Sequence, residues 1–223
     1  TIHKKIYFPK KEKSGGVKFV LQPNKHKNTI FIVDEASMIP DTPGESKLFE
    51  NGSLLDDLMQ YVYSGHNCKL LLIGDTAQLP PVKLDLSPAL NENTLGLNYN
   101  KEVTKMELDE VVRQELESGI LVNATSLREA LANTFLDSFQ FNLNGFDDII
   151  RLIDGHEIMD AINDAYSTLG NEETTIIVRS NKRANLYNQQ IRDRILFNEN
   201  EISTGDYLMV VKNNYFWLKP TSE

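Results

Sequence analysis

The sequence predicts an α/β fold with parallel strands and flanking helices, on the basis of three observations. Residues 29–40 (TIFIVDEASMIP) contain four consecutive apolar side chains that run into two adjacent carboxylates. Residues 69–82 (KLLLIGDTAQLPPV) repeat this design. Between them, residues 53–62 carry apolar side chains at helical spacing. Strand, helix and strand within about forty residues form a βαβ unit with a right-handed crossover.

The first apolar run is Ile30–Val33, and Asp34 and Glu35 follow it directly. Because the run is continuous and not alternating, it predicts a strand buried on both faces of a parallel sheet. Open α/β sheets bind ligands at the carboxyl ends of their strands. In nucleotide hydrolases that position holds an aspartate on Mg²⁺ beside a water-positioning acidic residue. A strand that stops at a solvated acidic turn explains this stretch, taken alone, equally well.

The second apolar run is followed by a short polar segment that begins with Gly74. A glycine there lets the backbone turn tightly or approach a ligand closely. Asp75 and Gln78 place a carboxylate and an amide just past the strand end, where a phosphate could be sensed. The intervening helix is predicted to start at the N-cap Ser53 and to end before Gly65. Two polar strand ends are thereby expected side by side.

These strings resemble conserved motifs of one enzyme family. DEAS, GDTAQLPPV and then residues 110–114 (EVVRQ) are similar to motifs II, III and IV of superfamily I DNA helicases. The RecD-like branch, with the exodeoxyribonuclease V alpha subunit and the Dda helicase, is the nearest match. The resemblance covers residues 1 to about 114 well and about 174 to 218 more loosely. It implies a P-loop NTPase (RecA-like) fold and an ATP-dependent helicase that translocates on single-stranded DNA in repair or recombination.

The resemblance also implies a set of ATPase residues. Asp34 would hold Mg²⁺ and Glu35 would orient the attacking water. Asp75 and Gln78 would sense the γ-phosphate of ATP and couple it to DNA, with Gly74 beside the nucleotide.

Arg113 completes this implied set, since an arginine at this place in the helicases reaches across the cleft to the γ-phosphate. Its guanidinium stays charged and offers a rigid fork of donors, which suits a transferring phosphoryl group. A surface salt bridge to Glu110 or Glu117 is the alternative.

Residues 1–7 resemble motif Ia, which touches the backbone of single-stranded DNA. Thr1 and His3 can donate hydrogen bonds to phosphate, and such contacts position the nucleic acid without reading its sequence. A frayed terminus with a solvated histidine is the alternative. Residues 174–181 have a buried-strand pattern that ends in polar groups, and a basic helix follows over residues 182–195.

Arg179 and Asn181 are the candidates for contact with nucleotide or DNA at that strand end. A plain helix cap by Ser180 or Asn181 is the alternative.

The resemblance divides the chain into two partial RecA-like motor domains, residues 1–110 and 111–223. A short hairpin insertion is expected at about 9–28, where Val17–Leu21 reads as a strand. The alternating residues 102–108 predict a further strand. Residues 118 to about 170 are predicted to be helical and acidic, with short strand or loop pieces at 139–141 and 149–153. The start of a small β-barrel insertion is expected at about 202–223.

Composition sets limits on these expectations. The 40% apolar and 25% charged residues are ordinary for a globular protein. The single cysteine, Cys68, excludes a disulfide framework and a cysteine metal cluster and favours a reducing cytoplasm. The chain carries a net charge of −9, but residues 1–28 hold eight lysines and one glutamate. That segment is either a footprint for a phosphate backbone or a solvated lysine-rich loop.

One expected motif does not occur in the sequence. No GxxxxGK[ST] string is present, and this is the loop whose amides and lysine hold the β- and γ-phosphates of ATP. The chain therefore resembles an internal fragment of a longer helicase, without the phosphate loop and without motifs V and VI. We expect it not to sustain ATP turnover by itself, and the parent could have partner subunits. The alternatives are a non-catalytic DNA-binding or scaffold module, and a P-loop ATPase that remodels something other than DNA.

Overall fold

The computed structural model describes residues 1–11, 16–43, 49, 52–108, 118–132, 138–198 and 200–210. The chain divides into two compact units, and the described residues fall within 1–108 for the first unit and within 118–210 for the second. The sequence analysis predicts two partial motor domains, residues 1–110 and 111–223, and that assignment stays a prediction.

The first unit contains four strands and three α-helices among its described residues. In chain order these are α1 (Ile2–Ile6), β1 (Tyr7–Lys11), β2 (Val17–Leu21), β3 (Ile30–Val33), α2 (Leu54–Ser64), β4 (Lys69–Leu72) and α3 (Glu92–Tyr99). Two short 3₁₀ helices, Ala36–Met38 and Pro88–Leu90, lie in the connections.

Strands β1 and β2 form an antiparallel pair whose register runs from Tyr7 opposite Leu21 to Lys11 opposite Val17. The predicted strand Val17–Leu21 is confirmed with the same bounds. Residues 12–15, which connect the two strands, lie outside the described part of the chain.

The predicted strand–helix–strand unit is confirmed. Strands β3 and β4 pair in parallel, with Val33 opposite Leu72 at their carboxyl ends. Helix α2 joins them and begins where its cap allows, since the Ser53 hydroxyl accepts a hydrogen bond from the Asp56 amide at 3.3 Å. The helix ends at Gly65, its C-cap residue, as the sequence predicts.

The prediction that β3 is buried on both faces is wrong. Phe31 and Val33 pack against the core, whereas Ile30 and Ile32 are 63% and 66% exposed. Strand β4 alternates in the same way. Burial of both faces requires a packed layer on each side, and in the described part of the chain these strands meet the core through one face.

The core of the first unit lies between this sheet and its helices. Its fully buried side chains include Ile6 of α1 and Leu55 and Val62 of α2. Two tyrosines fasten neighbouring segments to α2. The Tyr7 hydroxyl donates to Asp57 at 2.6 Å in the interior, and the Tyr99 hydroxyl donates to Asp56 at 2.7 Å near the surface.

The second unit contains three described helices, α4 (Gly119–Ala132), α5 (Gly155–Thr168) and α6 (Asn181–Arg194). Asp154 caps α5 by accepting hydrogen bonds from the amides of residues 156 and 157. Asp148 accepts hydrogen bonds from the Ser118 hydroxyl and from the amides of Gly119 and Ile120 at the start of α4. It therefore acts as a helix cap and not as a free loop charge.

Strands predicted over residues 102–108 and 174–178 are not formed. Both segments lack ladder partners in the described part of the chain, and a strand exists only when another strand satisfies its backbone. Residues 200–210, at the start of the predicted β-barrel insertion, form a turn and unpaired chain, and residues 211–223 lie outside the described residues.

Candidate functional site

The first acidic turn lies directly after β3. The backbone of Glu35 is left-handed, with φ of 55°, an uncommon conformation for a residue with a side chain. The Asp34 carboxylate accepts a hydrogen bond from the Glu35 amide at 2.9 Å. Both carboxylates are exposed, while Ala36 and Ser37 behind them are fully buried. The turn therefore carries two exposed carboxylates next to two buried residues.

The second polar turn lies directly after β4. The Asp75 carboxylate accepts a hydrogen bond from the Ala77 amide at 2.8 Å. The backbone N–H of Gln78 donates to the backbone carbonyl of Asp75 at 3.2 Å, which closes the turn. The Gln78 side chain is exposed and Asp75 is half-buried. The bond from the Ala77 amide to the Asp75 carboxylate is an Asx-type bond, by which an aspartate side chain stabilises the turn that follows it.

Backbone hydrogen bonds join the two turns. The Ile73 amide donates to the Val33 carbonyl at 2.8 Å, and the Ala36 amide donates to the Ile73 carbonyl at 2.8 Å. The ladder of β3 and β4 therefore continues one step past the strands. Asp34 and Glu35 are brought to the same edge of the sheet as the loop that carries Asp75 and Gln78, because parallel strands present their carboxyl ends together.

The carboxylates at this edge of the sheet can bind Mg²⁺ only together with other ligands. Among the described residues, no group of three or more His, Cys, Asp or Glu side chains could hold a metal ion. Mg²⁺ in nucleotide sites is commonly held by one or two carboxylates together with phosphate oxygens and waters. The exposed Asp34 carboxylate can supply the one protein ligand that such a site needs. It fits Mg²⁺ that is bound together with a nucleotide, and it does not fit Mg²⁺ held by protein ligands alone.

A cleft of about 320 Å³ opens beside Asp34. Thr1 and Lys5 of the α1 segment line it together with Phe31 and Tyr61. The structure therefore brings Thr1, a predicted DNA contact, to the same cleft as Asp34. Sequence reasoning did not single out Lys5, whose ammonium lies 3.0 Å from His26 Nε2. The lysine-rich composition of residues 1–28 was the available signal.

Thr1 and His3 already have structural roles in the first unit. The Thr1 hydroxyl oxygen accepts from the Lys4 amide at 3.4 Å as the N-cap of α1. His3 lies 5.7 Å from the Tyr7 ring and 5.3 Å from the Phe49 ring. Partial desolvation beside these rings lowers the pKa of His3 below its ordinary value of 6.5, so the neutral ring predominates at pH 7. Any contact it makes with a phosphate would be a neutral hydrogen bond.

The remaining predicted site residues belong to the second unit or fall outside the described chain. The Ser180 hydroxyl accepts a hydrogen bond from the Arg183 amide at 3.3 Å, so the helix-cap alternative is confirmed for Ser180. Asn181 is the first residue of α6, and Arg179 before it is exposed. Arg113 lies among residues 109–117, outside the described part of the chain.

Comparison with known proteins gives no further constraint, since no family model, curated protein or solved structure matches the chain. Within the described residues, no helix is both long enough and apolar enough to cross a membrane.

Proposed function

We propose that this chain is part of an ATP-dependent DNA helicase of the RecD-like kind, which translocates on single-stranded DNA in the cytoplasm. One observation carries the proposal. Two adjacent parallel strands end in the turns that bear Asp34–Glu35 and Asp75–Gln78, and a 2.8 Å hydrogen bond joins these turns. The order and spacing of the DEAS and GDTAQLPPV strings support the same conclusion.

In this proposal each side chain at the sheet edge has a distinct task. Asp34 holds Mg²⁺, which neutralises charge that develops on the phosphates. Glu35, whose backbone is left-handed, orients the attacking water. Gln78 and Asp75 report on the γ-phosphate from the neighbouring turn, and Arg113 stabilises the transferring phosphoryl group.

The nucleic-acid contacts in this proposal come from both units. Thr1 and Lys5 supply hydrogen-bond donors at the cleft, Lys5 adds a positive charge, and His3 supplies a further donor from the same helix, α1. Arg179 and Asn181 supply contacts from the start of α6 and the residues just before it in the second unit. All of these side chains would contact the DNA backbone, and such contacts position single-stranded DNA without selecting its sequence.

The test is ATP hydrolysis by the natural full-length protein that contains this sequence, with and without single-stranded DNA. A Glu35→Gln variant keeps the side-chain shape and removes the charge, so we expect DNA-stimulated turnover to fall by at least about 100-fold. Glu102→Gln is the matched control, because Glu102 is also an exposed glutamate and belongs to neither turn. Turnover that survives in Glu35→Gln would refute the role of this residue.

The alternative is a non-catalytic DNA-binding or scaffold module that retains a motor fold, and a full-length protein without a GxxxxGK[ST] string would favour it. Fluorescence anisotropy with labelled single-stranded DNA, run on the same full-length protein, separates the two functions. DNA binding without ATP turnover would favour the module, and DNA-stimulated turnover would favour the motor.

A further inference from the structure

Gly74 lies where the two polar turns come closest. A Cβ atom added to Gly74 would lie 2.9 Å from the Ser37 amide nitrogen and 3.2 Å from the Ala36 amide nitrogen. It would also lie 2.9 Å from Cδ1 of Leu90. Real Cβ atoms essentially never approach other heavy atoms below 3.0 Å. Residue 74 can therefore carry no side chain unless its neighbours move.

The requirement for glycine at this position is one of space and not of backbone conformation. Gly74 is absent from the glycines with positive φ, which are Gly52, Gly145, Gly170 and Gly205 among the described residues. An alanine could thus adopt the backbone angles of Gly74. The obstacle is the packing of Gly74 on the Ala36–Ser37 backbone, which unlike the Leu90 side chain cannot rotate away.

The turn that Gly74 touches contains a buried hydroxyl, without a partner in the described part of the chain, and a left-handed residue. Ser37 is fully buried, but its hydroxyl has no hydrogen-bond partner among the described residues. Glu35, one residue before the contact, has its φ at 55°, and such a conformation persists only when the surroundings impose it. The contacts that join this turn to the end of β4 include the 2.8 Å hydrogen bond from Ala36 to Ile73 and the close packing of Gly74.

We propose that Gly74 is a positioning residue, whose lack of a side chain lets the turn bearing Asp34 and Glu35 seat against the end of β4. A methyl group at position 74 displaces Ala36 and Ser37 and weakens the Ala36–Ile73 hydrogen bond. Glu35 then loses the support of its left-handed backbone. The consequence for water orientation rests on the proposed ATPase function, whereas the packing itself does not.

The structural test uses NMR on the 223-residue chain. In the unsubstituted protein, nuclear Overhauser effects are expected between the Gly74 α protons and the amide protons of Ala36 and Ser37. In Gly74→Ala, hydrogen exchange at the Ala36 amide is expected to accelerate by about tenfold or more. Gly96→Ala is the control, because the nearest atom to an added Cβ is 3.7 Å away in that helix. Missing Overhauser effects or unchanged exchange would overturn the proposal.

A second variant identifies the group that the methyl meets. Gly74→Ala combined with Leu90→Ala removes the flexible contact and keeps both amide contacts, so fast exchange at Ala36 is expected to persist. Full restoration of protection would show that Leu90, and not the turn, opposes a side chain at position 74. That result would overturn the assignment.

The functional test uses ATP hydrolysis by the natural full-length protein. Displacement of a catalytic group by about 1 Å can cost on the order of 100-fold in rate, so Gly74→Ala is expected to lower kcat to that extent and to leave KM nearly unchanged. Normal kcat in a variant with fast Ala36 exchange would overturn the positioning role. If the unsubstituted protein shows no turnover, the proposed function fails, and the NMR result still decides whether Gly74 seats the turn.

Discussion

The two tyrosine–aspartate pairs on α2 allow a matched test of how burial sets the strength of a hydrogen bond. Tyr7 is 7% exposed and Asp57 is 1% exposed, and their hydroxyl–carboxylate distance is 2.6 Å. Tyr99 and Asp56 make the same contact at 2.7 Å, but near the surface. Replacement of each tyrosine by phenylalanine removes one hydroxyl and preserves the ring.

The expected losses differ because water replaces the hydroxyl at only one of the two sites. A buried hydrogen bond to a charged group contributes about 1.5–3 kcal/mol, so Tyr7→Phe should lower the free energy of unfolding by about 2 kcal/mol. Tyr99→Phe should lower it by about 0.5–1 kcal/mol. At roughly 4–8 °C per kcal/mol for a domain of about 100 residues, Tyr7→Phe shifts the Tm by roughly 10 °C and Tyr99→Phe by a few degrees.

Thermal unfolding followed through the amide NMR signals of α2 reports on the first unit without interference from the second. Burial, followed by the hydrogen bond to Asp57, raises the pKa of Tyr7 above its ordinary value of 10. The unfolded chain then releases the Tyr7 proton before the folded chain does. The stabilisation is therefore fully present below about pH 10 and is lost as the pH rises above it. Equal losses in the two variants, or a larger loss in Tyr99→Phe, would refute this reasoning.

Three further substitutions test contacts outside these pairs. Asp148→Ala should lower the Tm of the second unit while the neighbouring Asp147→Ala should not, as measured by thermal unfolding followed through α4 amide signals, since Asp148 caps α4. The hydrogen bond from Arg192, followed by that from the Ser203 amide, lowers the pKa of Asp206 below its ordinary value of 3.8. The stabilisation that Asp206→Asn removes is therefore present above about pH 4 and disappears as the pH falls through the lowered pKa. Acid titration of both proteins should show their difference in stability closing, and a constant difference would contradict this prediction. Asn24→Ala should lower the free energy of unfolding, measured with urea, by about 1 kcal/mol. The Asn24 side-chain NH₂ donates to the backbone carbonyls of Tyr61 and Val62, near the end of α2, at 3.0 and 3.1 Å.

Local sequence signals determined helices α2 and α6 and the strand–helix–strand unit. Ser53 and Gly65 bound α2 as predicted, because a cap depends on residues within one turn of the helix end. The apolar runs before Asp34 and Gly74 became adjacent parallel strands, because four apolar side chains between polar breaks leave few other solutions. The placement of the polar residues at one sheet edge then followed from strand direction alone.

Tertiary structure decided the features that depend on distant residues. Residues 102–108 and 174–178 have strand-like patterns but lie unpaired, since pairing requires a partner that a single segment does not reveal. The exposed faces of β3 and β4 likewise depend on which layers are present to cover them. The left-handed backbone of Glu35 and the contact of Gly74 with the Ala36–Ser37 amides arise only when two turns meet. Sequence alone identified the polar groups of the candidate site, and packing between the strand ends fixed how they are held.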